Sequence, residues 1–213
     1  MPKKKIKNRF RTEQEKFWAG QFGDEYIARN QGAERIASNT ALFTRVLSRT
    51  RNVRSVIEFG ANIGLNLEAI RRVLPNAALA AVEINQKAAC QLKRSLRSVD
   101  VCPVSIVDYK VNRTYDLALV KGVLIHINPE ILSRVYERLY RASSRYICIA
   151  EYYNPSPVAI SYRGHADRLF KRDFAGEMLD KYRGLRLVDY GFCYRRDVNF
   201  PQDDLSWFLL EKT

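Results

Sequence analysis

Apolar and polar positions along this chain follow two rhythms. Short apolar runs at Val53–Phe59, in the stretch that ends in Glu83, and at Val101–Val107, Tyr115–Val120 and Tyr146–Glu151 have the length of buried strands. Between them apolar residues recur every three or four positions, as on helices with one packed face. The pattern predicts helices through Gln86–Arg97 and Asp167–Tyr182, and another after Asn128-Pro129-Glu130, where an asparagine cap precedes a proline in the first turn. Strand and helix in alternation describe a parallel sheet covered on both faces. The last two strand patterns, Leu185–Tyr194 and Leu205–Glu211, are linked through Pro201-Gln202-Asp203-Asp204, too short a link for a parallel crossover, so they pair antiparallel. The expected fold is α/β and Rossmann-like, a mostly parallel seven-stranded sheet with an antiparallel final strand.

Two further helices precede the first strand. Thr12-Glu13-Gln14-Glu15 is a capping box, and Phe17, Trp18, Phe22 and Tyr26 follow near helical spacing. A second helix through Ala33–Arg49 places Ile36, Phe43 and Leu47 on one face. The chain then divides into a basic flexible tail (1–11) and a single domain (12–213), made of a helical cap (12–50) over a Rossmann-like core (51–213).

The first strand empties into Gly60-Ala61-Asn62-Ile63-Gly64, a helix follows, and the second apolar run ends in Glu83. Glycine lets backbone approach a ligand closely, and an acid closing the next strand can accept both hydroxyls of a ribose. That order describes a nucleotide-type cofactor site. Asn62 stands where a dinucleotide site needs its second glycine, and Glu58 sets a carboxylate before the loop, which repels phosphate and suits a cationic ligand. S-adenosylmethionine, with an ammonium and a sulfonium, fits. Its contacts should lie at the C-terminal ends of the strands: Glu58, Gly60, Ala61, Asn62 and Gly64, then Glu83 and Ile84, then Val107 and Asp108 at the adenine edge, then the backbone of Lys121 and Gly122.

Composition narrows the partners. The chain of 213 residues is 46% hydrophobic and 28% charged, an ordinary soluble balance, with a formal net charge of +13. That charge invites a nucleic-acid reading, yet the dense basic cluster is confined to the first sixteen residues. Elsewhere basic residues stand beside acids, as at Lys171-Arg172-Asp173 and Arg195-Arg196-Asp197, the mark of a solvated surface. No apolar stretch is long enough for a membrane span and Met-Pro-Lys-Lys-Lys leads into no apolar core, so a cytoplasmic protein without membrane contact is expected. Cys90, Cys102, Cys148 and Cys193 are far apart, read as reduced and buried thiols, and form no C-x-x-C pair; no metal is expected.

The acid and two glycines of the first motif resemble those of the class I S-adenosylmethionine-dependent methyltransferases. A narrower resemblance covers nearly the whole chain beyond the tail. The strings from Thr12 to Tyr26, from Lys121 to Glu130, and Tyr152-Tyr153-Asn154-Pro155 leading to Tyr162-Arg163-Gly164-His165, are similar to the pseudaminic acid biosynthesis-associated methylases. This resemblance implies a small acceptor, sugar-like or anionic, of the nonulosonic-acid kind, in a pocket formed by the aromatic helix (Trp18, Phe22, Tyr26) and residues after strand five (Tyr152, Asn154, Arg163). His165, Tyr153 and His126 are the candidate catalytic groups, with His165 preferred as a base because it lies in a polar segment beside Arg163. Two rivals stand beside this reading. A nucleic-acid methyltransferase of the amino-methylating type would carry an Asn/Asp-Pro-Pro-aromatic string where this chain has Val120-Lys121-Gly122-Val123. A non-catalytic binding protein on the same fold would have no need of Glu58, Gly60, Gly64 and Glu83 together.

Overall fold

A computed structural model describes residues 10–213. The dense part of the basic tail, residues 1–9, lies outside the described residues.

The sheet carries seven strands: β1 (Ser55–Phe59), β2 (Ala78–Val82), β3 (Val99–Cys102), β4 (Tyr115–Lys121), β5 (Ser143–Glu151), β8 (Leu185–Cys193) and β9 (Leu205–Lys212). Their order is β3-β2-β1-β4-β5-β9-β8, with the first five parallel and β9 antiparallel to both neighbours. The crossovers run outward in opposite directions from β1 and β4, so the chain switches direction between these two strands and leaves a crevice at their C-terminal ends. The expected fold class is the one observed.

Each face of the sheet buries its own core. On one side α3 (Ala33–Leu47), α4 (Leu65–Val73) and α5 (Gln86–Ser95) bury Phe43, Val46, Leu67, Ile70 and Leu92 against Val56, Leu117, Leu119 and Trp207. On the other, α6 (Leu132–Ala142) and α7 (Phe174–Lys181) bury Val135, Leu139, Phe174 and Met178 against Ile57, Ala118, Val120, Ile147 and Leu210. Strands covered on both faces need apolar residues at successive positions, and β4 reads Leu117-Ala118-Leu119-Val120 with all four buried. No helix of the described residues is long and apolar enough to cross a membrane.

Four local expectations are corrected. The aromatic segment is two helices, α1 (Glu13–Ala19) and α2 (Gln21–Arg29), because Gly20 adopts an extended conformation that caps both. The third strand ends at Cys102, before Pro103, which has no N–H to extend the ladder, and residues 105–109 turn through bonds from the Asp108 and Tyr109 N–H groups to the Ser105 carbonyl. The helix expected through Asp167–Tyr182 begins only at Phe174, capped by Asp173. The preceding residues form a hairpin of β6 (Val158–Tyr162) and β7 (His165–Lys171), whose Arg163-Gly164 tip has φ +49° and +82°. Two left-handed residues in succession are what a tight hairpin turn requires. The cysteines are all free, but only Cys148 is buried; Cys90 is exposed and the other two are half-buried.

Candidate active site

An open cleft of about 610 Å³ lies at the switch point. Its floor is the C-terminal ends of β1, β2 and β4, and its roof is α1, α2 and the start of α3. Gly60 (φ +76°), Asn62 (+49°) and Gly64 (+87°) turn the chain from β1 into α4. A Cβ on Gly60 would sit 2.5 Å from the Val123 side chain, so this turn and the turn after β4 pack where only glycine fits. Gly122 is also left-handed, and a Cβ there would meet nothing within 4 Å, which leaves its backbone facing the open cleft.

Glu83 ends β2 and is buried, its carboxylate accepting the Asn62 N–H at 2.6 Å and the Asn85 N–H at 2.7 Å. Burial pushes its acid constant up, while these backbone donors pull it down. A carboxylate has about four acceptor directions, so one bond at each oxygen leaves capacity for a ligand's hydroxyls. Ile84, Ile106 and Val107 supply apolar wall nearby.

Glu58 lies behind the wall and does not line the cleft. One of its oxygens accepts from Asn66 Nδ2 at 2.6 Å; its other oxygen and Asn66 Oδ1 are both buried without a hydrogen-bond partner. Burial pushes the Glu58 carboxyl up to about 7. Asn66 does line the cleft, so it carries the polarity of Glu58 to the ligand side. Lys121, half-buried at the end of β4, has its ammonium constant lowered by burial.

A third acid closes a strand. Glu151, at the end of β5, accepts the Val123 and Leu124 N–H groups at 2.9 and 2.8 Å and thereby fixes the Gly122 turn. Burial raises it to about 7, and its second oxygen has no hydrogen-bond partner.

The roof is tied to the core by polar bonds. Asn85 Nδ2 donates to the Trp18 carbonyl at 3.2 Å and to Asp24 at 2.9 Å, Lys87 pairs with Asp24 at 2.5 Å, and Glu15 accepts from the Ser105 hydroxyl. Trp18 packs on the His126 ring at 4.6 Å, and His126 on Tyr162 at 4.9 Å. His126 Nδ1 is 2.6 Å from the Arg168 carbonyl, and burial lowers its constant to about 4, leaving a neutral ring at neutral pH.

Of the residues singled out in the sequence, Gly60, Ala61, Asn62, Glu83, Ile84, Val107, Lys121, Gly122, Trp18, Tyr26, Tyr152, Arg163 and His126 meet around this one cleft. Others do not line it. Gly64 shapes the turn from behind, and Asp108 points away to an ion pair with Arg11 at 2.6 Å, which also docks one residue assigned to the tail. Phe22 stacks on Phe17, and His165 is exposed with its ring edge-on to Phe17 at 5.0 Å. Tyr153 is exposed beside Phe208, and Asn154 bonds the Ser156 carbonyl. The sequence reading missed Asn66, Asn85 and Glu151. Glu151 carries the signal that marked Glu58 and Glu83, an acid closing an apolar run.

No family model and no curated protein matches the chain. Solved structures do. The magnesium protoporphyrin IX methyltransferase of Synechocystis, with bound S-adenosylmethionine, is 11% identical, covers 95% of this chain and 98% of its own, and superposes with a TM-score of 0.65. The 1,6-didemethyltoxoflavin N1-methyltransferase of Burkholderia thailandensis is 18% identical over 94% and 87%, at 0.66. A sugar N-methyltransferase from Streptoalloteichus is 15% identical over 89% and 92%, at 0.62. At such identities the likeness shows the fold, that of the class I S-adenosylmethionine-dependent methyltransferases.

Proposed function

We propose that this chain transfers a methyl group from S-adenosylmethionine to a small polar acceptor of the sugar or nonulosonic-acid kind. The observation that carries the reading is the Glu83 carboxylate, set at the end of β2 beside the left-handed Gly60–Gly64 turn and lining an open cleft. Its spare acceptor directions suit ribose hydroxyls; Ile84, Ile106 and Val107 suit a planar base; and the unpartnered Asn66 Oδ1, with Glu58 behind it, suits an ammonium. When bound, the cofactor supplies an electrophilic methyl carbon on a positively charged sulfur.

The chain's own share is alignment and exclusion of water. Trp18, Tyr26, Tyr152 and Tyr162 line the cleft and offer ring faces to an acceptor, and the roof over them shields the reacting centre. Arg29, Arg35 and Arg163 also line it and form no ion pair with any acid among the described residues, which supports an acceptor bearing an anionic group. A roofed cleft of this volume favours a small molecule over a nucleic-acid duplex.

Calorimetry with S-adenosylhomocysteine tests the cofactor. Glu83→Ala removes charge-assisted hydrogen bonds of roughly 1.5–3 kcal/mol, so affinity should fall about 10- to 100-fold with the fold retained. No binding by the parent protein would sink the assignment. Methyl transfer from labelled cofactor to sugar nucleotides, free amino sugars, small acids and nucleic acids then identifies the acceptor class; transfer to nucleic acid alone would overturn the small-molecule reading.

A further inference from the structure

Four carboxylates line the cleft: Glu15, Glu34, Glu83 and Asp203. Glu15 is engaged in its capping box and by Ser105, and Glu83 by two backbone N–H groups. Asp203 makes no hydrogen bond or ion pair with any described residue, and the loop that presents it is braced on both sides. Gln202 Nε2 donates to Asn39 Oδ1 on α3 at 3.2 Å. Asp204, left-handed at φ +52°, accepts the Arg195 N–H at 2.9 Å and pairs with the Arg195 guanidinium at 3.4 Å. A braced loop with a left-handed non-glycine residue holds its neighbour in one place, and such strain persists only where the surroundings impose it.

Tyr26, Tyr152 and Lys121 line the same cleft as Asp203, so elements distant in sequence meet there, and the Asp203 charge raises the constants of all three. Arg35 lines the same cleft, and its charge lowers the Tyr26 and Lys121 constants. Burial holds both phenols neutral by raising their constants, Tyr26 to about 12, so they offer hydroxyls to a ligand. His165 lies outside the cleft, and His126 is buried between the Trp18 and Tyr162 rings, at 4.6 and 4.9 Å, whereas Asp203 is exposed.

We propose that Asp203 is the proton acceptor for an amine, and that the methylated atom of the acceptor is an amino nitrogen. This rests on the methyltransferase reading. The acceptor ammonium gives one proton to Asp203, and the nitrogen lone pair so freed forms a bond to the methyl carbon. The bond between that carbon and sulfur breaks with its electron pair left on sulfur, yielding a thioether and a methylated ammonium. Asp203 is exposed and returns its proton to water. An acceptor with an amine at Asp203 and an anionic group toward Arg163 is a zwitterion, which reconciles acidic and basic residues in one cleft.

The test compares three cofactor ligands by calorimetry, on the parent protein and on Asp203→Asn. S-adenosylhomocysteine has a neutral sulfur, S-adenosylmethionine a sulfonium without donors, and sinefungin an amine-bearing carbon in place of the methylsulfonium. The variant should lose sinefungin by about tenfold or more and bind the other two as the parent does. Glu34→Gln, which removes a different cleft acid, should leave all three unchanged. Equal losses for sinefungin and S-adenosylmethionine would make Asp203 a charge partner of the cofactor and overturn the proposal, as would unchanged sinefungin affinity or an equal effect of Glu34→Gln. Failure of the parent to bind any of the three would reject the methyltransferase reading itself.

Discussion

The two halves of the cleft are built by different physics. The side proposed for the cofactor rests on β1, β2 and β4, where turns leave a fully buried sheet and meet each other at van der Waals contact, as Gly60 meets Val123. The side proposed for the acceptor gathers α1, α2, the β6–β7 hairpin and the loop between β8 and β9, and partly solvated polar bonds tie it to the core beside the apolar contacts of Ile27, Tyr162 and Leu169. Packed turns tolerate no added atom; polar ties on exposed elements tolerate much and open readily. One half is suited to an invariant ligand, the other to an acceptor that can differ among proteins of one fold.

If that contrast holds, the largest effect belongs to Gly60→Ala. The new Cβ would need the left-handed region and would press on a branched side chain, together of the order of 2–4 kcal/mol. Thermal unfolding should show the loss, and S-adenosylhomocysteine affinity should fall with it. A variant as stable as the parent would mean the β1 turn is not packed as described.

Glu151 tests the same half through pH. Its carboxyl is raised to about 7 from an ordinary 4.5, so the native chain binds more protons than the unfolded chain between these values. Its contribution to stability is therefore complete below about pH 4.5 and is lost as pH rises through 7. Glu58 titrates with the same sign, whereas His126, lowered to about 4, loses its contribution as pH falls below its ordinary 6.5. Glu151→Gln keeps an oxygen for the Val123 and Leu124 N–H groups and removes one titration. Relative to the parent, the variant should gain roughly 1–3 kcal/mol between pH 4.5 and 7.5, measured by denaturant unfolding across that range. A constant difference would place the Glu151 constant elsewhere.

Legibility in the sequence followed the same division. Glu83 and the Gly60–Gly64 turn could be read because strand, turn, helix and strand are contiguous and their apolar runs are unambiguous. The acceptor side could be read only in part: Trp18, Tyr26, Tyr152, Arg163 and His126 line the cleft, whereas Phe22, Tyr153, Asn154 and His165 do not. Of the hairpin at 158–171, residues from Asp167 onward fall within the expected helix and the rest carry no strand expectation, because its faces are largely exposed and its residues lack strict alternation, and Asp203 joins Tyr26 and Tyr152 in one cleft only through tertiary folding. Asp108 was misplaced for a local reason: Pro103 ends β3 early, and the turn that follows directs its side chain to Arg11.

Asn85 joins the two halves, and its removal should sharpen the contrast. Its Oδ1 caps α5 at Ala88 N, 2.9 Å away, while its Nδ2 holds Trp18 and Asp24 of the roof. Asn85→Ala should cost about 1 kcal/mol through the lost cap. Hydrogen exchange should quicken in α1 and α2 and stay slow in β1 and β4. Equal acceleration in both would show that roof and sheet open as one unit.

The smallest expected effect is that of His165→Ala, and it bears on where the chemistry lies. His165 is exposed on β7, and its ring meets Phe17 at 5.0 Å and Phe22 at 6.0 Å, both edge-on. Such contacts are worth roughly 0.5–1.5 kcal/mol when buried and less here, so the melting temperature should move little. A base must come within about 3.2 Å of the proton it removes, directly or through one water. A residue outside the cleft lining does not meet that condition, so labelled methyl transfer by His165→Ala should stay within about twofold of the parent, whereas Asp203→Asn on the same acceptor should fall by about 10²–10⁴. A collapse of turnover in His165→Ala with Asp203→Asn unaffected would mean that the hairpin swings inward during the reaction, and the division between a fixed cofactor half and an acceptor half with Asp203 as its base would have to be redrawn.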